Sequence, residues 1–175
     1  MTNKQEQILN AALKLFAEDG FKGTSTSKIA KEAGVSEGLI FRHFKNKNGL
    51  LAAVLEMGEE KAKQLFADII FEEDPKSVIR KTIAIGDLMQ NNQADINFWK
   101  LQYKVKWEIE TYGEHKIEAV EQALAKAFTK LNYPSPEIEA RMLMVLIDGL
   151  ATRLFLQKSF DLKSSIQFLR EKYQV

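Results

Sequence analysis

The stretch Gly20–Lys47, GFKGTSTSKIAKEAGVSEGLIFRHFKNK, decides how the chain is to be read. Thr24-Ser25-Thr26-Ser27 offers several N-cap oxygens ahead of Lys28-Ile29-Ala30-Lys31-Glu32-Ala33, and Gly34 closes that helix after barely two turns. Ser36 caps a second short helix holding Ile40 and Phe44. Two short helices joined by a turn with glycine make a DNA-reading unit when the second can lie in a major groove about 12 Å wide. The residues suit that purpose. Ala30 is small where the helices would cross, Gly34 can take a positive φ, and Val35 and Ile40 can plug the joint against Ile29. With successive residues about 100° apart around a helix, Ile40 and Phe44 share the inward face. Gly38, Leu39 and Arg42 point outward, with Phe41 and His43 on the flanks. Glu37, in the first turn, is favoured by the helix N-terminus but repelled by phosphate, so it reads as a stabiliser or a filter.

Upstream, Ile8, Leu9, Ala12, Leu13 and Phe16 recur at three- and four-residue steps and predict an amphipathic helix that Gly20 ends. Downstream, Leu50, Leu51, Val54, Leu55, Met57, Leu65, Phe66, Ile69 and Ile70 predict one long helix to about Glu73. Asp74-Pro75 and Ser135-Pro136 each read as an N-cap followed by proline at the first helical position. The first opens a helix fading near residues 90–93, and the second opens one from Glu137 to about Lys158. Between them Ala94–Thr111 and Glu114–Leu131 predict two more, parted near Gly113, and a last helix follows Asp161. No alternating strand pattern appears, so the fold class is all-α: an N-terminal three-helix domain, residues 1–47, and a C-terminal helical bundle, residues 48–175.

Composition narrows the function. The 175 residues include no cysteine, which removes disulfides, thiolate nucleophiles and cysteine-ligated zinc. No apolar run reaches the roughly 18 residues of a membrane span, and the N-terminus lacks a signal peptide's order, so a cytoplasmic location and no membrane partner are expected. Residues 1–50 hold eight Lys/Arg against five acids, net +3, while the remainder is −2. That bias suits a polyanion.

Gly20-Phe21-Lys22-Gly23-Thr24-Ser25, Ile29-Ala30, Ala33-Gly34-Val35-Ser36, Gly38, Phe44, Lys47 and Leu50 together resemble the N-terminal DNA-binding domain of the TetR family of transcriptional regulators, across residues 8 to 51. The resemblance implies a homodimer placing one recognition helix in each half of a palindromic operator, released by an unidentified small-molecule effector in the C-terminal domain. It also implies DNA contacts from Thr24, Ser25, Thr26, Ser36, Gly38, Phe41, Arg42, His43 and Lys47, to which Leu39 is added. Three positions depart from the common pattern. Glu37 stands where lysine or another residue is frequent, Phe41 where tyrosine is usual, and Leu39 where a small polar residue is common. Phe41 has no phenolic hydroxyl for phosphate; Leu39 suits a thymine methyl and Arg42 a guanine.

In the second half, Trp99, Tyr103 and Trp107 recur at four-residue steps, with Phe98, Tyr112, Met89 and Phe155 as further apolar residues. Met89, Phe98, Trp99, Tyr103, Trp107 and Phe155 either wall an effector pocket or form ordinary core. Glu108, Glu110 and Gln102 either read a polar ligand group or face water. The helix from Glu137 is apolar around most of its circumference, and with the segment before it predicts a two-fold helical interface through Leu124, Phe128, Met142, Leu146, Gly149, Leu150 and Arg153. His115 beside Glu114 and Glu118 reads as a solvated helix start, so no metal is expected. Neither a placeable catalytic triad nor a phosphate-cradling glycine loop is present, so an enzyme and a cofactor are not expected. The competing expectation is a helical protein-interaction module without small-molecule response.

Overall fold

The computed structural model describes residues 2–108 and 114–175, and within these all side chains but those of 59–61 and 114–116. Tyr112, Glu110 and the break near Gly113 lie outside the described residues, as does the side chain of His115. Nine helices and no strand occur among the described residues: α1 (Asn3–Asp19), α2 (Thr26–Ala33), α3 (Glu37–Phe44), α4 (Lys47–Ile70), α5 (Pro75–Leu88), α6 (Gln93–Glu108), α7 (Glu114–Lys130), α8 (Pro136–Leu156) and α9 (Leu162–Tyr173). The fold is all-α. No helix among the described residues is long and apolar enough to cross a membrane.

Contacts group the chain into two compact units, residues 1–62 with 92–112 and residues 63–91 with 113–175. These limits differ from the break expected at residue 47. Leu50, Leu51 and Val54 at the start of α4 are buried in the first unit's core, and α6 returns to pack on α1. That return also explains why α1 buries more than the expected stripe. Ala11, Leu15 and Ala17 are covered along with Ile8, Leu9, Ala12, Leu13 and Phe16, because α1 meets α2 and α6 as well. Phe98, Leu101 and Val105 are the α6 residues that join this core. Gly58 of α4 has no Cβ to obstruct the Phe98 ring, whose Cε2 would lie 1.7 Å from one.

In the second unit α5 packs against α7, α8 and α9, and α7 against α8. Its core is drawn from Val78, Ile79 and Ile83, from Val120, Leu124 and Phe128, from Leu143, Ile147 and Ala151, and from Ile166, Leu169 and Tyr173. Phe128, Tyr133 and Tyr173 form an aromatic cluster with centroids 4.9 to 6.3 Å apart. The Tyr173 hydroxyl donates to Glu139 Oε2 at 3.1 Å, and burial, with that carboxylate beside it, pushes the phenol well above its usual range.

α5 and α8 each begin at the expected proline, and α9 follows Asp161. Asp74 accepts the Ser77 amide at 2.7 Å and Asp161 accepts that of Ser164 at 3.0 Å. Ser135 precedes Pro136 but makes no side-chain cap bond. The turn between α4 and α5 is tied by Glu72, whose carboxylate accepts from Lys81 Nζ at 2.8 Å and from the Glu73 and Asp74 amides at 2.9 and 3.0 Å. The Lys81 bond, followed by the Asp74 amide, lowers the Glu72 carboxyl to about 2. A carboxylate with a lowered folded-state pKa stabilises the fold above its ordinary value near 4.5 and ceases to do so as pH falls toward 2. Glu72→Gln is therefore expected to be less stable than the wild type at neutral pH, with the difference shrinking below pH 4. Urea unfolding across that pH range checks it; a pH-independent difference would assign Glu72 another role.

Candidate DNA-binding surface

The surface is set by how firmly the back of α3 is held. Ile40 is fully buried in the same core as Ile29 of α2 and Phe16 of α1. Burying such a side chain contributes about 1.5–3 kcal/mol, and an eight-residue helix needs tertiary support of this kind to persist in water. The turn before α3 has the conformation its glycine predicts. Gly34 is left-handed at φ 63°, ψ 39°, and the Val35 amide reaches back to Ala30 O at 3.0 Å. Behind α3, a Cβ on Gly49 would lie 2.1 Å from Phe44 O, so glycine alone allows α4 to begin this close. Asn46 then caps α4 through Oδ1 to the Gly49 amide, 2.8 Å.

On the opposite side of α3, Gly38 and Arg42 are exposed, Phe41 is 44% exposed, and open space surrounds the Gly38 Cα. Ser36 is exposed and its hydroxyl makes no cap bond. Ser25 is exposed and caps α2, accepting the Lys28 amide at 3.1 Å. Thr26 is half-buried, and its hydroxyl donates to Glu37. His43 is half-buried, edge-on to Phe44 at 6.1 Å. The exposed ion pairs Lys14–Glu32 and Lys28–Asp19 couple α2 to α1 and neutralise two of the basic side chains here. Exposed pairs of this kind contribute at most about 1 kcal/mol.

Three residues expected to contact DNA have partners within the protein. Thr24 is only 1% exposed. Its hydroxyl is spent on Leu15 O at 3.2 Å and Gly20 O at 2.7 Å, satisfying carbonyls at the end of α1. Lys47 Nζ donates to Phe21 O at 2.9 Å and Thr24 O at 3.0 Å and lies 4.5 Å from the centre of the Phe21 ring, so its charge braces the α1–α2 loop. Leu39 is half-buried and packs against the core, which leaves only part of it outward. One element of the site was missed. Glu108, at the end of α6, accepts the Phe21 and Lys22 amides of the same loop, both at 3.2 Å, and Lys104 one turn earlier donates to Glu18 O at 2.7 Å. Glu108 thus holds the loop backbone through both of its carboxylate oxygens. No local pattern links residue 108 to residue 21.

The residues expected to form an effector pocket are divided between the two units. Met89 and Phe98 are buried, Trp99, Tyr103 and Phe155 are half-buried, and Trp107 is 79% exposed. Phe98 meets Trp99 edge-on at 5.6 Å, and both join the first unit's core. The expected dimer residues divide as well. Leu124 and Phe128 are fully buried and serve the second unit's own core, a correction that follows from α7 turning this face toward α5 and α8. Met142, Leu146, Gly149 and Arg153 are exposed and Leu150 is half-buried. Arg153 Nη1 donates to Gln157 at 3.2 Å. With Ile138 and Val145, the α8 residues Met142 and Leu146 form an exposed apolar stripe opposite the buried Ala140, Leu143, Ile147 and Ala151.

Comparison with known proteins agrees with this geometry. Residues 8–54 match the model for bacterial regulatory proteins of the tetR family. The HTH-type transcriptional regulator AcrR of Shigella flexneri is 28% identical over 176 residues, covering 91% of this chain and 82% of that protein. Among solved structures, a Saccharomonospora viridis protein described as a transcriptional regulator, in complex with choline, superposes with a TM-score of 0.78 at 20% identity, covering 97% of this chain and 95% of that one. NalD, the secondary repressor of the MexAB-OprM multidrug efflux pump in Pseudomonas aeruginosa, gives 0.70 at 21% identity, covering 98% and 94%. The core-anchored short helix, its exposed Arg42 face and the matched residues 8–54 lead to one conclusion: residues 8–54 carry the DNA-binding module of the tetR family of bacterial regulatory proteins, and α2 and α3 are the helix-turn-helix of a DNA-binding transcriptional regulator.

Proposed function

We propose that the protein is a ligand-responsive repressor that works in the cytoplasm and binds a palindromic operator as a homodimer. The observation that carries this reading is α3 itself, anchored through Ile40 and offering Gly38, Phe41 and Arg42 outward. Arg42 has no ion-pair partner among the described residues, so its fork is open to the N7 and O6 acceptors of guanine. Ser25 and Ser36 at the two helix starts are the hydroxyls best placed for phosphate, with Lys45 exposed nearby.

The α8 stripe of Ile138, Met142, Val145 and Leu146 supports the dimer, since apolar surface of this kind is stabilised by covering it, and a second copy supplies the symmetry a palindrome requires. The half-sites would then lie about 34–36 Å apart, one turn of DNA. For the effector, the support is the choline-bound structural relative together with Trp99, Tyr103 and Trp107 on α6, whose rings retain exposed surface. Aromatic faces of this kind attract cationic or apolar small molecules. Effector binding would act by shifting the population toward a dimer whose recognition helices are wrongly spaced.

Three substitutions separate the parts of this reading. Arg42→Ala is expected to cost about 1–3 kcal/mol of operator binding and to relax preference at one base pair, with little change in urea unfolding; unchanged sequence preference would remove Arg42 from base reading. Thr24→Val should do the reverse, lowering unfolding free energy by about 1–3 kcal/mol because two carbonyls lose their donor. Its binding, measured where the protein is folded, should stay near wild type. Leu146→Glu is expected to convert the dimer to a monomer in sedimentation and to weaken operator binding at least tenfold; a persistent dimer would exclude the α8 stripe as the interface.

A further inference from the structure

One hydrogen bond crosses the helix-turn-helix without serving either helix as a cap. Thr26 opens α2 and Glu37 opens α3, and the Thr26 hydroxyl donates to Glu37 Oε1. Ser25 and Ser36 already occupy the two N-cap positions. The Glu37 carboxylate makes no other hydrogen bond and no ion pair among the described residues. It is therefore fixed through one oxygen, while the second remains an unpaired acceptor at the N-terminal end of α3.

That end is the part of a recognition helix that meets base edges. Glu37 is half-buried, and Gly38, which follows, is exposed with open space where a Cβ would stand, so no side chain at position 38 covers this end of the helix. Phe41 and Arg42, a turn later, are exposed. An ionised carboxylate only accepts hydrogen bonds. In the major groove the donors are the exocyclic amino groups, and a glutamate is matched to N4 of cytosine; O6 of guanine and O4 of thymine would leave the charge facing another acceptor. A glutamate free to rotate could swing away from such a mismatch. Glu37 is restrained by Thr26, so a mismatch must be borne.

We propose that Glu37 is a specificity-determining residue that accepts from a cytosine amino group in each operator half-site, and that Thr26 is its positioning residue. The proposal rests on the reading that α3 enters the major groove, and adds to it a base and the side chain that reads it. Thr26, whose proton is committed to Glu37, is then assigned to holding the reader, in place of a phosphate contact.

The test is selection of bound duplexes from a random pool by the full-length wild type, Glu37→Gln and Thr26→Val, followed by titration of the selected sites. The wild type should enrich cytosine at one position of each half-site, and replacing that C·G pair should weaken binding on the order of tenfold. Glu37→Gln should shift that position toward adenine, which an amide pairs through N6 and N7, and leave the other positions unchanged. Thr26→Val should flatten the same position while retaining glutamate's direction of preference. Thermal unfolding confirms that both variants are folded; Glu37→Asp, which keeps the charge on a shorter stem, is a further probe and should lose the preference too. If Glu37→Gln tightens binding to all sequences alike with no change of base preference, the carboxylate acts only through repulsion of phosphate and the proposal is overturned. If Thr26→Val matches the wild type at every position, the positioning role is overturned. A wild type that enriches no sequence overturns the groove reading itself, a result distinct from enrichment insensitive to Glu37.

Discussion

An eight-residue helix cannot persist in water on its own hydrogen bonds, and everything else in the N-terminal unit answers that constraint. α3 exists because Ile40 is sunk in the core that holds Ile29 and Phe16, with Leu39 and Phe44 leaning on the same core. The cost of ordering a probe that touches little protein is met by one fully buried side chain and two partly buried ones. Its solvent side can then be chosen for DNA without regard to stability, which is why Gly38, a poor helix former, is tolerated there.

The same division of labour recurs in the loop before α2. Its residues adjoin the helix-turn-helix in the sequence, yet Thr24 of the loop, with Lys47 and Glu108 from elsewhere, is turned to holding the backbone of residues 20 to 24. Buried peptide groups must be paired, and a short loop cannot pair its own. The polar side chains supplied for the purpose are of the kinds that also bind phosphate, and their type alone does not reveal which task they perform.

This explains what could be read from the chain and what could not. Gly20, Gly34, Asp74-Pro75 and Asp161 act on neighbours within four residues, and the helix limits they mark are those observed. The hydrophobic spacing around Ile40 likewise placed its inward and outward faces, save for the half-buried Leu39. Thr24 and Lys47 were legible as part of a DNA-binding motif but not as structural members, because their partners are carbonyls made available only by the turn of the loop. In α8 residues of apolar type lie around most of the circumference, and which face the protomer itself covers depends on where α5 and α7 lie. For the same reason Leu124 and Phe128, indistinguishable in type from Leu146, are core residues.

Phe21 has its amide hydrogen on Glu108 and its carbonyl on Lys47, so the backbone leading into the DNA-reading helices is completed by a residue contributed from α6. Residues 8–54, the segment matched as a family module, therefore do not form a self-contained cassette. A chimaera that grafts this segment onto a different helical body would deliver the reading helices with two loop amides lacking their acceptor unless a carboxylate is supplied at the place of Glu108. Exchange of reading heads among such regulators is thus constrained by a position more than fifty residues downstream of the head, and compatibility has to be judged there as well as at the visible seam.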